Sequence, residues 1–147
     1  MTYEQMKFRL GDYVRCRRFY ERHRRELILI EQKLKAVGIS IDYSKPNVKT
    51  SAPGNAAYAD WITDAMFIRK QLAEEETEVV KARDSVNRLI NMLTDLDQKD
   101  VLRYKYVMDW QWREIGKIMG YSPDWVRHKS YEAVKCLAEK TTTHNHY

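Results

Sequence analysis

Residues that interrupt helices or form covalent cross-links are scarce in this sequence. Its 147 residues include five Gly, three Pro and two Cys. Cys16 and Cys136 are far apart and form no CxxC pair, so no disulfide framework is indicated. A reducing, cytoplasmic setting is therefore expected.

Long apolar runs are also missing. No run approaches the roughly 18 residues that a membrane-spanning helix needs. The first turn of the chain is already charged, unlike the start of a secretory signal peptide. No alternating pattern typical of strands stands out. We therefore expect an all-α protein without a membrane partner.

The sequence contains none of the common catalytic signatures. It has no Gly-rich phosphate loop, no HExxH and no Cys/His quartet at zinc spacing. Paired carboxylates occur only on helix faces that are predicted to be exposed, and no nucleophile is placed beside a base. We therefore expect a protein that is not an enzyme and that has no cofactor or metal site.

Two long helices are predicted from apolar residues that recur at steps of three and four. The first covers residues 2–37 and continues through Gly11, and the second covers residues 56–94. Residues 38–55 are rich in Ser, Asn, Pro and Gly and are predicted to form the loop between them. Because two such helices pack as an antiparallel pair, residues 1–94 are interpreted as a helical hairpin.

Two features of this hairpin leave alternatives open. The loop is longer than most helix–helix connections, and it is either mobile or packed through Ile41, Tyr43 and Val48. The basic cluster at residues 15–25 either binds nucleic acid or pairs with the acidic residues 74–78 of the opposite helix.

Residues 95–140 have the pattern of a separate helical domain. Its first section starts near Leu93, and its apolar residues predict a helix that ends before residues 109–111 and supports two further helices. The first of these has an apolar stripe made by Ile115, Ile118 and Met119. The remaining residues, 141–147, show no periodicity and are predicted to form a frayed tail.

The turn that follows this stripe is marked by four residues. Gly120 suits the left-handed position that ends a helix. Ser122 suits an N-cap, Pro123 the first helical position and Asp124 the positive end of the helix dipole. The next helix has a second apolar stripe, made by Val126, Ser130, Ala133, Val134 and Leu137. Two helices around a Gly-containing turn are typical of a helix-turn-helix, whose second helix commonly enters the major groove of DNA.

The last third of the chain resembles region four of bacterial sigma factors. It aligns without a gap, and the matching residues are Val101, Leu102, Arg103, Tyr106, Glu114, Ile115, Gly120, Ser122, Val126, Arg127 and residues 133–137. Lys129 departs from the family where an apolar residue is usual, and Tyr131 departs where a small residue is common. The whole chain resembles the small phage regulators of the ArpU and RinA type, which place a long helical region before such a helix-turn-helix.

That resemblance implies a phage-encoded regulator that acts in the bacterial cytoplasm, most specifically an activator of late genes. Its implied partners are double-stranded DNA, host RNA polymerase and a second copy bound through the long helices. The exposed side of the second helix supplies the candidates for contacts with bases, which are Asp124, Trp125, Arg127, His128 and Tyr131. The candidates for phosphate contacts are Arg113, Lys117, Ser122, Lys129 and Lys135.

Two other functions remain as alternatives. The segment from residue 95 to the end contains nine basic and eight acidic residues, so its charge alone does not predict strong DNA binding. A small-terminase-like DNA-packaging adaptor also joins a helix-turn-helix to helical oligomerisation segments, and it would form a ring in solution. A helical module that binds and inhibits a host protein would show no sequence-specific DNA binding.

Overall fold

The computed structural model describes residues 1–44 and 55–144, and all of the regular structure in these ranges is helical. The helices are α1 (Tyr3–Leu10), α2 (Asp12–Ala36), α3 (Ala59–Asn91), α4 (Leu96–Tyr106), α5 (Trp112–Met119) and α6 (Pro123–His144), with a 3₁₀ turn at Asn55–Tyr58 before α3. The predicted all-α class is confirmed. Within the described ranges, no helix is long and apolar enough to cross a membrane.

The chain divides into two compact units that differ from the predicted domains. Unit 1 contains residues 1–17 and 79–147, and unit 2 contains residues 18–78. The predicted boundary between residues 94 and 95 does not match this division, because α1 and the end of α3 pack with the C-terminal helices.

The core of unit 1 joins five helices, namely α1, the start of α2 through Tyr13, α3, α4 and α6. Its buried residues include Met6 and Leu10 of α1, Val86 and Ile90 of α3, Leu102 of α4, and Ala133, Val134 and Leu137 of α6. The predicted apolar stripe of the last helix is confirmed, since Val126, Ser130, Ala133, Val134 and Leu137 are all at most 4 % exposed. Because burying a Leu or Val side chain contributes roughly 1.5–3 kcal/mol, this shared cluster is the main stabilising feature of the unit.

Gly11 interrupts the first predicted helix, so the continuous helix over residues 2–37 is wrong in this detail. Gly11 separates α1 from α2, although its N–H still donates to the carbonyl oxygens of Lys7 and Phe8 at 3.2 and 3.1 Å. The Arg15 guanidinium lies over the Phe8 ring, 3.9 Å from its centroid. A side chain at Gly11 would meet this guanidinium, with Cβ 2.6 Å from Nη1 of Arg15.

The predicted tail also begins too early. Helix α6 continues past Thr141 to His144. The Thr141 hydroxyl lies 3.0 Å from the Leu137 carbonyl oxygen, and the N-terminal amine of Met1 donates to the Thr142 hydroxyl at 2.8 Å. These contacts extend the helix where the lack of periodicity predicted fraying. Residues 145–147 lie outside the described part of the chain.

Within unit 2, two small apolar clusters join α2 and α3. One contains Leu27 and Leu72, and the other contains Leu34 and Ile62. In the predicted basic cluster, Nδ1 of His23 lies 2.7 Å from Oε1 of Glu75. For His23, the structure therefore supports pairing with the acidic segment.

The loop after α2 packs in part against this unit. Ile41 and Tyr43 contact the cluster that contains Leu27 and Leu72. This agrees with the packed alternative for these two residues, whereas Val48 lies outside the described residues.

The His23–Glu75 contact predicts a measurable contribution to stability. Both side chains are less than 20 % exposed, so Glu75→Ala leaves a mostly buried imidazole without its partner and should cost about 1–3 kcal/mol. Glu75→Gln keeps an acceptor oxygen and should cost less. Denaturant unfolding followed by circular dichroism measures both changes.

Glu76→Ala is the matched control, because it removes the same charge from the neighbouring, exposed position. It should change the unfolding free energy by less than about 0.5 kcal/mol. Equal effects of the substitutions at 75 and 76 would show that the pair contributes nothing.

Candidate nucleic-acid interface

A tight turn connects α5 to α6. Gly120 has φ 79° and ψ 27°, so it occupies the left-handed position predicted for it. The N–H groups of Gly120 and Tyr121 both lie 2.9 Å from the Gly116 carbonyl oxygen. These hydrogen bonds provide donors for the Gly116 carbonyl group near the end of α5, and the chain reverses within a few residues.

Gly116 makes the turn possible, although it was not among the residues predicted to form it. It is buried in α5, and a Cβ there would lie 2.6 Å from the Tyr121 carbonyl oxygen and 3.4 Å from the Pro123 nitrogen. The backbone of the turn therefore approaches α5 more closely than any side chain allows. A glycine four residues before the cap glycine was the available sequence signal.

The start of α6 is capped as predicted. The Ser122 hydroxyl oxygen accepts the Trp125 N–H at 3.1 Å, and the Val126 N–H donates to the Ser122 carbonyl at 3.1 Å. Asp124 lies in the first turn, where the helix dipole stabilises a negative charge. As a phosphate candidate, Ser122 retains its hydroxyl proton for donation.

The core between α4, α5 and α6 is small. Val101, Ile115 and Val126 are its fully buried residues. Ile118 is 59 % exposed, so its predicted place in the apolar stripe of α5 is wrong. The buried residues of α5 are Ile115 and Gly116, and Ile118 lies about 200° around the helix from Gly116.

The predicted base-contacting side of α6 is exposed. Asp124, Arg127, His128 and Tyr131 are all exposed, and Lys135 follows one turn after Tyr131 on the same side. Nε2 of His128 lies 3.1 Å from Glu132. Arg127 has no ion-pair partner among the described residues, and its guanidinium is available for a ligand.

Two cations of α5 are similarly available. Arg113 and Lys117 are both exposed and have no ion-pair partner in the described part of the chain. They lie one turn apart and so share one side of the helix. This arrangement suits contacts with a phosphate backbone.

Two other candidates are engaged within the protein. Nζ of Lys129 lies 3.4 Å from Asp95 and 3.9 Å from Glu132, and its side chain is only 20 % exposed. Asp95 is also the N-cap of α4, and its bond from the Gln98 N–H, followed by the charge of Lys129, lowers the pKa of its carboxyl group. Lys129 therefore links α6 to the start of α4 through its ion pair with Asp95.

Trp125 is the second engaged candidate. Its ring stacks on Tyr121 at a centroid distance of 3.7 Å and an angle of 17°, and it packs against the small core of α4, α5 and α6. Trp125 thus supports the turn, and only part of its surface remains available to a ligand.

A groove of about 480 Å³ lies along the exposed side of α6. Besides Asp124, Arg127, His128 and Tyr131, it is lined by Tyr3, Lys7, Tyr106, Trp112 and Ser130. The Tyr3 and Tyr131 rings are 4.9 Å apart, so Tyr131 is partly used to hold α1. Tyr3 and Lys7 were not among the predicted site residues, because no local sequence pattern connects them to α6.

The partly buried phenol of Tyr106 adds no negative charge to the groove. Burial, and then the nearby Tyr3, raise the pKa of the Tyr106 hydroxyl to about 12. Tyr106 is therefore neutral at physiological pH and does not repel an anion.

The excess positive charge of the chain lies entirely in the unit that contains this groove. Unit 1 has 16 basic and 11 acidic residues, a net charge of +5, whereas unit 2 has ten of each. The segment after residue 94 is nearly neutral, and most of the net positive charge of unit 1 comes from basic residues of α1, the start of α2 and the end of α3. A net charge of this sign attracts polyanions.

No family model, curated protein or solved structure matches this chain. A function is therefore inferred from the geometry and charge of the described residues, and the resemblance to region four of sigma factors remains a prediction.

The close approach at Gly116 predicts a large effect of a single methyl group. Gly116→Ala should destabilise the protein by about 1–3 kcal/mol, because the clash is with backbone atoms that cannot move without opening the turn. The gain in helix propensity, about 1 kcal/mol, is too small to offset it. Thermal unfolding measures the change.

Gly11→Ala is the matched control, since its Cβ also lies 2.6 Å from another atom, but that atom is the tip of the flexible Arg15 side chain. With φ at −76°, alanine is tolerated there, and the substitution should be neutral or stabilising by up to about 1 kcal/mol. A neutral Gly116→Ala would contradict the close-approach explanation.

Proposed function

We propose that this protein is a DNA-binding transcriptional regulator and that α5, the turn and α6 act as its helix-turn-helix. The observation that carries the proposal is the exposed Arg127 beside a capped helix start, which has no ion-pair partner in the described part of the chain and lies in the unit that holds all of the excess positive charge. A helix N-terminus of this kind suits insertion into the major groove.

In this proposal each candidate has a defined role. Arg127 bonds guanine O6 and N7, Asp124 accepts from cytosine N4, and His128 adds a third polar contact. Phosphates are bound by Arg113, Lys117, Ser122 and Lys135. Lys129, Trp125 and Tyr131 position α6, since their contacts within the protein already use much of each side chain.

The long helices serve contacts with proteins in this proposal. Unit 2 has equal numbers of basic and acidic residues, so it adds little attraction for DNA. An antiparallel pair that lacks a net charge suits dimerisation or contact with host RNA polymerase. Together with the resemblance to ArpU and RinA, this supports a phage late-gene activator, and a dimer would double the phosphate contacts.

Arg127→Ala tests the direct contact with a base. We expect a loss of about 1–3 kcal/mol on the specific duplex, with relaxed preference at one base position, because the guanine then loses its bidentate partner. Selection of duplexes from random DNA, followed by gel-shift titration, gives the site and the affinities.

Arg83→Ala is the control, because it removes the same charge from an exposed position on α3 that does not line the groove. It should leave the base preference unchanged. Equal losses on specific and unrelated DNA would make Arg127 a phosphate contact, and no enriched duplex at moderate salt would refute the proposed function.

A further inference from the structure

Helix α1 is held firmly beside α6. Met6 and Leu10 are 0 % exposed and belong to the same buried cluster as Val134 and Leu137. The ring of Tyr3 contacts the ring of Tyr131. Buried side chains along α1 therefore fix both its position and its rotation against α6.

The start of α1 is also anchored. Thr2 and Gln5 form a reciprocal capping box, in which the Thr2 hydroxyl accepts the Gln5 N–H and the Gln5 side chain accepts the Thr2 N–H. The Met1 amine donates to the Thr142 hydroxyl at 2.8 Å. The N-terminal residues are thus a built part of unit 1.

This arrangement places the Lys7 side chain of α1 at the groove, beside that of Tyr3. It is exposed, lines the same groove as Arg127 and His128, and has no ion-pair partner among the described residues. Arg9, two residues later, lies about 200° around the helix and does not line the groove.

We propose that α1 forms a second wall of the DNA interface and that Lys7 binds a backbone phosphate, an inference that rests on the proposed function. The major groove of B-DNA is about 12 Å wide and admits one helix, so a helix packed beside the inserted one meets the sugar–phosphate backbone. Because Tyr3 contacts Tyr131, α1 lies where that backbone passes the middle of α6.

The contact has a distinctive signature. A phosphate contact contributes equally on every sequence and releases counterions, which makes binding dependent on salt. Lys7 should therefore influence affinity and its salt dependence but leave the choice of bases unchanged. Arg127, in contrast, should influence that choice.

The test compares Lys7→Gln with Arg9→Gln in the full-length protein. Both substitutions remove one positive charge from an exposed position of α1, so both proteins should keep the wild-type Tm. Affinity for the selected duplex and for an unrelated duplex is measured by fluorescence anisotropy at several salt concentrations. Lys7→Arg is included as the variant that keeps the charge.

We expect Lys7→Gln to reduce the slope of log K against log salt by about 0.9 on both duplexes, as for one lost phosphate contact. Arg9→Gln and Lys7→Arg should keep the wild-type slope. If Lys7→Gln also keeps it while Arg127→Ala still loses specificity, the second wall is refuted and the proposed function stands. Equal reductions by Lys7→Gln and Arg9→Gln would refute a local contact, and failure of the wild-type protein to bind either duplex would refute both proposals.

Discussion

The buried contact between the first and last helices determines the organisation of unit 1. Met6 and Leu10 share one cluster with Val134 and Leu137, and residues of α2, α3 and α4 complete it. The cluster that α5 shares with α4 and α6 is smaller, with Val101, Ile115 and Val126 as its buried residues. Since each buried aliphatic side chain contributes roughly 1.5–3 kcal/mol, the larger cluster supplies most of the apolar stabilisation that keeps α6 in place.

The same contact has an electrostatic consequence. The segment after residue 94 is nearly neutral, but the compact unit it belongs to carries a net charge of +5 because basic residues of α1, the start of α2 and the end of α3 belong to it. Affinity for a polyanion depends on the charges that a folded unit presents together. Packing therefore places the candidate interface in a unit with more net positive charge than the segment after residue 94 has by itself, and this charge favours DNA binding.

The interface is divided between side chains that hold α6 and side chains that remain available. Lys129 pairs with Asp95, and Tyr131 packs on Tyr3, which gives a structural role to the two residues that depart from the sigma-factor pattern. Arg127 and the exposed cations of α5 have no ion-pair partner within the described ranges. A helix that is fixed by one set of contacts can present another set without a large loss of conformational entropy on binding.

The sequence by itself determined the features that depend on one residue and its near neighbours. Gly120 and Ser122 occupy their predicted positions because left-handed backbone and N-capping are local preferences, and the stripe of α6 follows from helical periodicity. Only the tertiary structure decided that Gly116 lies under the turn, that Ile118 is exposed and that α1 joins α6. The Met1–Thr142 bond spans 141 positions, and a contact between residues so far apart leaves no periodic signal in either segment.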